Sequence, residues 1–352
     1  MVVVLGADVH KRTHTVVAVD AVGVKTGERV VAATDAGHDV LLRWARGSFS
    51  DDERVWAVED CRHLTARLER CLLAAGERVV RVPPKLMAGA RQSARTRGKS
   101  DPIDALAVAR AALREPDLPA AAHDAVSREL KLLTGHREDL VAERTRMVNR
   151  FRWHLHELDP ERDPAPTALN RAVVRDQLAG WLAGQSGLVA ELAAEILAGI
   201  GVLTTRINHL ERRIAAAVAL AAPQLLDIPG CGPLTAAKIV GETAGIGRFR
   251  SEACFAMTAG VAPIPVWSGN TAGRVRLNRG GNRQLNAALH RIAITQVRTG
   301  GPGRAYFDKR RAAGDTSAEA YRALKRRLAR TVYNTLKTPA QASTEPTLAA
   351  AA

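Results

Sequence analysis

Val2-Val-Val-Leu-Gly-Ala-Asp8-Val-His10-Lys11-Arg12-Thr-His14-Thr-Val-Val-Ala-Val-Asp20 opens the chain with two apolar, Val-rich runs around a short polar break. Such runs read as strands, here 2–9 and 14–20, and their close spacing makes them antiparallel neighbours. Gly23 and Gly27 flank a turn before a third strand near Glu28–Ala33, which completes a meander. Residues 37–47 read as a short helix, and Arg54-Val-Trp-Ala-Val-Glu59 as a fourth, buried strand that ends on an acid. His63–Ala75 places Leu64, Leu68, Cys71 and Leu72 on one helical side and stops at Gly76. Arg78–Val82 is the fifth strand, and Pro83-Pro84 breaks the chain into a basic loop. Three strands followed by βαβα specify a mixed α/β unit with a parallel crossover in its second half.

The next helix starts inside Arg95-Thr-Arg-Gly-Lys-Ser-Asp101-Pro-Ile-Asp104-Ala. Asp101 and Asp104 are three residues apart, so a helix puts both on one face. Arg91, Arg95, Arg97 and Lys99 stand just before them. One reading is a helix start, with Asp101 as N-cap, Pro102 at the first position and Asp104 favouring the macrodipole. The other is a pair of metal-holding carboxylates beside cations that hold a polyanion.

Composition favours a polyanionic partner. The 352 residues carry 51 Lys and Arg against 36 acids, a formal charge of +15, which points to nucleic acid before membrane. No apolar run looks long enough to span a bilayer, and no signal peptide is expected. Cys61, Cys71, Cys231 and Cys254 form no CxxC pair; they read as small core residues of a reducing compartment. A cytoplasmic protein is expected.

Between about 123 and 220 the period becomes helical over two long stretches, 130–158 and 188–214, separated by a Pro-rich break at 159–166. They make an antiparallel hairpin or a coiled-coil stalk, and either pairing within one chain or dimerisation satisfies the pattern. Ile228-Pro-Gly230-Cys-Gly232-Pro joins two short helices in a turn that resembles a helix-hairpin-helix element. There Gly230, Gly232 and Lys238 would hold a phosphate; a plain Gly-Pro connection is the competing reading. The Gly/Asn-rich stretch 266–286, within 260–291, holds Arg274, Arg276, Arg279 and Arg283, suited to phosphate contacts. Ser268 lies at its start, where a lone serine is most often a turn former. Residues 309–337 read as one basic helix, and the tail from 339 as disordered.

Asp8 ends the first strand and Glu59 the fourth, and these strands are neighbours in a ribonuclease-H-like sheet. With Asp101 and Asp104 arriving from the next helix, four carboxylates at one edge need a counter-charge. One or two Mg²⁺ ions, which prefer oxygen ligands, would supply it.

Gly6-Ala-Asp8-Val-His-Lys11, Ala57-Val-Glu59, Lys99-Ser-Asp101-Pro-Ile-Asp104-Ala, Ile228-Pro-Gly-Cys-Gly and Gly260-Val-Ala-Pro-Ile-Pro-Val-Trp-Ser268-Gly together resemble the DEDD-type insertion-sequence transposases of the "IS one-ten" family. The resemblance implies a Holliday-junction-resolvase-like catalytic domain at 1–120 and a helical coiled-coil linker at 121–222. A mainly α C-terminal transposase domain at 223–338 and a tail at 339–352 complete the implied plan. It further implies that Ser268 matches the family's nucleophilic serine, and that a structured, element-encoded guide RNA pairs with donor and target DNA. A homo-oligomer, dimer or tetramer, is expected, since a composite site could form between protomers. The family has a small neutral residue and then Thr-Gly after its Glu. Here Asp60, Cys61 and Arg62 follow Glu59, adding an acid that can compete for metal or pair with Arg62. Two other functions fit the same residues: a metal-only junction nuclease without a covalent step, and a non-catalytic nucleic-acid-binding protein.

Overall fold

The computed structural model describes every residue except Met1, 60–61, 93–99, 116–117, 119, 123, 270–274, 279 and 339–352. The expectations for Arg95, Arg97, Lys99, Arg274, Arg279, Asp60, Cys61 and the tail therefore lie outside the described residues. The chain divides into two compact units, one of 1–125, 228–230 and 242–352, the other of 126–227 and 231–241.

The first unit begins with strands β1 (Val2–Val9), β2 (Thr13–Val19) and β3 (Lys25–Ala32), then helix α1 (Asp35–Ser48) and strand β4 (Glu53–Glu59). Helix α2 (Arg62–Ala74), strand β5 (Arg78–Val82) and helices α3 (Pro84–Gln92) and α4 (Asp101–Arg114) follow. The strands form one sheet in the order β3-β2-β1-β4-β5. β1 pairs antiparallel with β2, with Asp8 opposite Thr15, and parallel with β4, with Ala7 opposite Val58. β2 pairs antiparallel with β3, and β4 parallel with β5. The mixed α/β arrangement expected from the strand spacing is present, with each strand boundary within about three residues of its expected place.

Alternation along the strands divides the core into two layers. Leu5, Ala7, Val16, Trp56 and Val79 face α1 and α2. Val4, Val17, Ala57, Val80 and Val82 face α3 and α4. Gly6 belongs to the second face, and its missing side chain lets α4 rest directly on β1. A Cβ there would meet the Ala105 carbonyl oxygen at 2.3 Å and the Ala109 amide nitrogen at 2.4 Å. On the first face, buried Glu77 accepts hydrogen bonds from Arg46 Nε, Arg54 Nε and Trp56 Nε1 at 3.1, 3.1 and 2.9 Å.

The segment after Pro83 is helix rather than the expected loop. Pro84 occupies the first helical position, where a missing N–H costs nothing, so the proline pair starts α3 instead of preventing it.

In the second unit, α5 (Ala125–Leu158) and α7 (Leu188–Ala221) are the two long helices that the periodicity implied. They run antiparallel within one chain. Arg213 pairs with Glu129, Arg137 with Glu211, and Arg144 Nη1 donates to Thr204 Oγ1. Phe151, Leu155, Leu197 and Ile200 form their shared core with Leu169 and Leu178. Helix α6 (Ala172–Leu182), unexpected after the Pro-rich break, supplies Leu178 and Leu182 to that core. Contrary to the expectation that no segment could span a bilayer, α7 is long and apolar enough to do so by length and composition alone. Its apolarity comes from an Ala-rich helix whose Leu197, Ile200, Leu203, Ile207 and Ile214 are buried, while Glu191, Glu195, Arg206 and Arg212 are exposed.

Helix α8 (Pro233–Thr243) follows, with its residues through Gly241 counted in the second unit. The first unit continues with α9 (Glu252–Thr258) and a two-stranded pair, β6 (Ile264–Pro265) and β7 (Val275–Arg276). Helices α10 (Arg283–Thr299), α11 (Pro302–Ala312) and α12 (Ser317–Lys337) end it. The single basic helix expected at 309–337 is two helices. Gly314 at φ 95° reverses the chain, and Thr316 with Glu319 forms a reciprocal capping box that starts α12 afresh.

Candidate metal centre

The C-terminal end of β1 is where the acids gather. Asp8 is on the Gly6 face by strand alternation, pointing toward the helix layer that holds α4. The close seat of α4 on Gly6 brings its first turn over that strand end. The N-cap of α4 is Ser100, not Asp101. Asp101 and Asp104 both lie in the first helical turn, so neither carboxylate is spent as the N-cap. The helix-start reading of Asp101 as a cap is corrected by one residue, and its carboxylate is left for another partner.

That partner includes a residue that the sequence reading did not single out. His10 Nε2 stands 3.2 Å from Asp8 Oδ2 and 3.6 Å from Asp101 Oδ1. Among the described residues, Asp8, His10 and Asp101 are the group whose ligand-type atoms lie within 4.8 Å of one another. His10 lies one residue past the end of β1 and two residues from Asp8, so the chain itself holds the pair close. The turn that follows, closed by the His10 amide on the Thr13 carbonyl at 3.0 Å, returns the chain into β2.

Burial raises the Asp8 carboxyl above the usual carboxylate range, and the nearby Asp104 and Asp101 charges add to the rise. His10 opposes it through its hydrogen bond and charge. Asp104 is buried, with Arg91 Nε at 2.9 Å from its Oδ1. Oδ1 has this ion-pair neighbour but no hydrogen bond. A buried carboxylate oxygen without a hydrogen bond, next to a carboxyl raised by burial and further by two neighbouring acids, is a donor set that a divalent cation fits. The donors are mostly oxygens, as a hard divalent ion requires.

Glu59 is level with Asp8 on the adjacent parallel strand, one residue beyond the Ala7–Val58 pair, and shares the face of Ala57. Its carboxylate falls outside the 4.8 Å group. Ser268 is exposed in the segment between β6 and β7.

The expected phosphate contacts are distributed unevenly. Arg91 is turned to Asp104. Arg276 on β7 and Arg283 at the start of α10 are exposed. Lys238 Nζ lies 2.7 Å from Glu138 Oε1 with its side chain only 13% exposed, so it is committed to a carboxylate. The turn at 228–232 is preceded by a three-residue 3₁₀ turn, Pro223–Leu225, rather than by a second short helix. Gly230 has φ 84° and lies against Ile292 and Thr295 of α10, where Gln296 Nε2 donates to the Pro229 carbonyl at 2.7 Å. Gly232 faces open space. Cys231 is buried, which pushes its thiol up to about 12.

Comparison with known proteins places these elements in context. Residues 5–160 match a transposase family model of the DEDD, IS110 type, and residues 222–308 match the transposase family IS116/IS110/IS902. The insertion element IS116 uncharacterized 44.8 kDa protein of Streptomyces clavuligerus is 28% identical over 373 residues, covering 92% of both chains. The insertion element IS900 uncharacterized 42 kDa protein of Mycobacterium paratuberculosis is 28% identical over 397 residues, covering 98% of both. The insertion element IS110 uncharacterized 43.6 kDa protein of Streptomyces coelicolor is 29% identical over 275 residues, 63% of this chain and 66% of its own.

Proposed function

The chain belongs to the IS110 family of insertion-sequence transposases, and on that premise we propose that it cuts and rejoins DNA through a Mg²⁺-holding acidic site and the hydroxyl of Ser268. The observation that carries the proposal is the convergence of Asp8 and Asp101, with Asp104 beside them, at one end of β1. Asp8, Glu59, Asp101 and Asp104 are the residues assigned to hold the ion. Bound there, Mg²⁺ would supply the positive charge that polarises a phosphodiester and favours an ionised oxygen nucleophile. The order β3-β2-β1-β4-β5, antiparallel in its first three strands and parallel in its last three, supports a ribonuclease-H-like, Holliday-junction-resolvase-like fold for 1–120. The antiparallel α5–α7 pair supports the helical linker at 121–222, and 223–338 is assigned as the domain that delivers Ser268.

Ser268 Oγ forms the bond to phosphorus as the bond from phosphorus to a deoxyribose oxygen breaks. The Ser268 proton leaves with activation of the hydroxyl, and the freed DNA hydroxyl is protonated. A serine hydroxyl is a weak nucleophile unless activated, which assigns that task to the acidic site, in the same or a second protomer. The phosphoserine ester keeps the bond energy for rejoining. Exposed Arg276 and Arg283, with the +15 charge, support phosphate binding to DNA. We assign a structured guide RNA as a second partner, and the cytoplasm, at the nucleoid, as the place of action.

The test is a strand-exchange reaction on supercoiled donor and target DNA, resolved under denaturing conditions. A protease-sensitive protein–DNA band is expected, absent from Ser268→Ala. Asp101→Asn/Asp104→Asn should abolish exchange. Covalent adducts surviving in Ser268→Ala would remove the serine from the scheme, and full exchange in the double mutant would remove the metal site.

A further inference from the structure

Resting on that metal-site reading, we infer that His10 is itself a ligand of the divalent ion, a nitrogen donor among oxygens, and that it tilts the site toward Mn²⁺ over Mg²⁺. Three observations carry this. His10 Nε2 lies between two carboxylates from different elements, 3.2 Å from Asp8 on β1 and 3.6 Å from Asp101 on α4. Adjacent ligand atoms around an octahedral ion with bonds of about 2.1 Å are spaced by about 3 Å, so the donor atoms are close to the spacing that such an ion imposes. The third observation is exposure. The His10 and Asp101 side chains are 51% and 52% exposed, while Asp8 is 9% exposed. The cluster thus has a buried floor and an open side by which an ion and a phosphodiester oxygen can enter.

The Nε2 hydrogen bond to Asp8 does not compete with this role. A neutral imidazole carries one ring hydrogen, which sits on Nε2 while it donates to Asp8. With the hydrogen on Nδ1 instead, the same Nε2 offers its lone pair to an ion at the same place. The ring therefore bridges two acids without an ion and coordinates when one is present. The consequence for selectivity follows from donor chemistry. Mg²⁺ demands oxygen ligands and gains little from an imidazole, whereas first-row transition ions accept a nitrogen readily. A site of carboxylates alone would take Mg²⁺ and Mn²⁺ on nearly equal terms; adding His10 favours Mn²⁺.

The experiment uses the full chain with Mn²⁺ as the probe. Titration followed by electron paramagnetic resonance gives the affinity, pulsed measurements report directly bound ¹⁴N, and competition gives the Mg²⁺ affinity. His10 lies just beyond the end of β1 and is half exposed, so His10→Gln should fold. Bound Mn²⁺ is expected to show ¹⁴N coupling that His10→Gln loses. The same variant should weaken Mn²⁺ binding by about tenfold or more and leave Mg²⁺ binding within a few-fold of wild type. Mn²⁺ bound in an Asp101-dependent manner without nitrogen coupling would overturn the inference while sparing the acidic site. An unchanged Mn²⁺/Mg²⁺ ratio in His10→Gln would do the same. Mn²⁺ binding indifferent to Asp101→Asn, or no binding, would overturn the metal-site reading and the inference with it.

Discussion

Gly6→Ala probes the contact that assembles the acidic site. The added Cβ would stand 2.3 Å from Ala105 O, 2.4 Å from Ala109 N and 2.7 Å from Ala109 Cβ. Two of these atoms are backbone, and the third is a methyl carbon fixed to it, so no rotamer change relieves the clash. Restoring contact near 3.5 Å requires α4 and β1 to separate by about 1 Å. Overpacking on this scale costs about 1–3 kcal/mol, a loss that a chain with a typical stability of about 5–15 kcal/mol survives. Under the proposed mechanism the functional cost is larger, because α4 carries Asp101 and Asp104 in the turn that meets Asp8 and His10. A misplacement of about 1 Å can reduce a rate by about 100-fold. The expected result is a folded variant with a lowered unfolding midpoint, weakened Mn²⁺ binding and strand exchange down by about two orders of magnitude. Circular dichroism melts, metal titration and the exchange assay on one preparation separate these effects. A variant with wild-type stability and full exchange would refute the premise that α4 rests on Gly6. Full metal affinity despite lost stability would show that the seat of α4 does not set the site.

Three further outcomes test other parts of the fold. Buried His14 and His38 stack with their Nε2 atoms 3.1 Å apart, and burial first, then the His38 neighbour, lower His14 to about 4. Its folded pKa is below the ordinary 6.5, so its contribution is full above that pH and is lost as pH falls toward about 4. Urea unfolding should show a slope of up to about 1.4 kcal/mol per pH unit in that window, flattened in His14→Asn; an unflattened slope rejects the assignment. Glu77→Ala removes the buried carboxylate to which Arg46, Arg54 and Trp56 donate, while half-exposed Arg46 keeps the Ala75 carbonyl and Arg54 the Phe49 carbonyl; it should cost about 1–3 kcal/mol in denaturant unfolding, and a loss under about 0.5 kcal/mol would mean that water replaces the carboxylate. Thr316→Ala removes one half of the α12 capping box and should cost about 1 kcal/mol, with hydrogen exchange accelerated in the first turn of α12; unchanged exchange there would mean that packing alone starts the helix.

The sheet was legible because its signals are local. Val-rich runs marked four of the strands, the Gly23 and Gly27 turn marked the third, and short connections fixed which ones pair antiparallel. The acids were legible as strand-end and helix-start positions; Asp8 and Asp101 meet, while Glu59 falls outside their group. His10 was not singled out because it sits in a polar turn, where a histidine beside Lys11 and Arg12 looks like ordinary solvated charge. The three-dimensional return of α4 adds Asp101 to the partner, Asp8, that it has along the chain. Helix α3 was hidden by reading Pro83-Pro84 as punctuation, although a proline is at home in a first helical turn. Helix α6 was hidden by the Pro-rich run before it, and the α11–α12 break by a continuous basic composition that outweighed Gly314. The pairing of Lys238 with Glu138 could not be read from spacing, because it joins residues a hundred positions apart.

The order of synthesis has a consequence for this fold. The β1–β2–β3 meander is made first and pairs with close sequence neighbours. The layer that covers Gly6 comes from 101–114, far downstream. At ~5–20 residues per second, a growing polypeptide carries Asp8 for several seconds before Asp101 exists. A product released early, by a stop codon or a stalled ribosome before α4, has the strand but not the turn that meets it. Such fragments would lack the Asp8–His10–Asp101 cluster altogether.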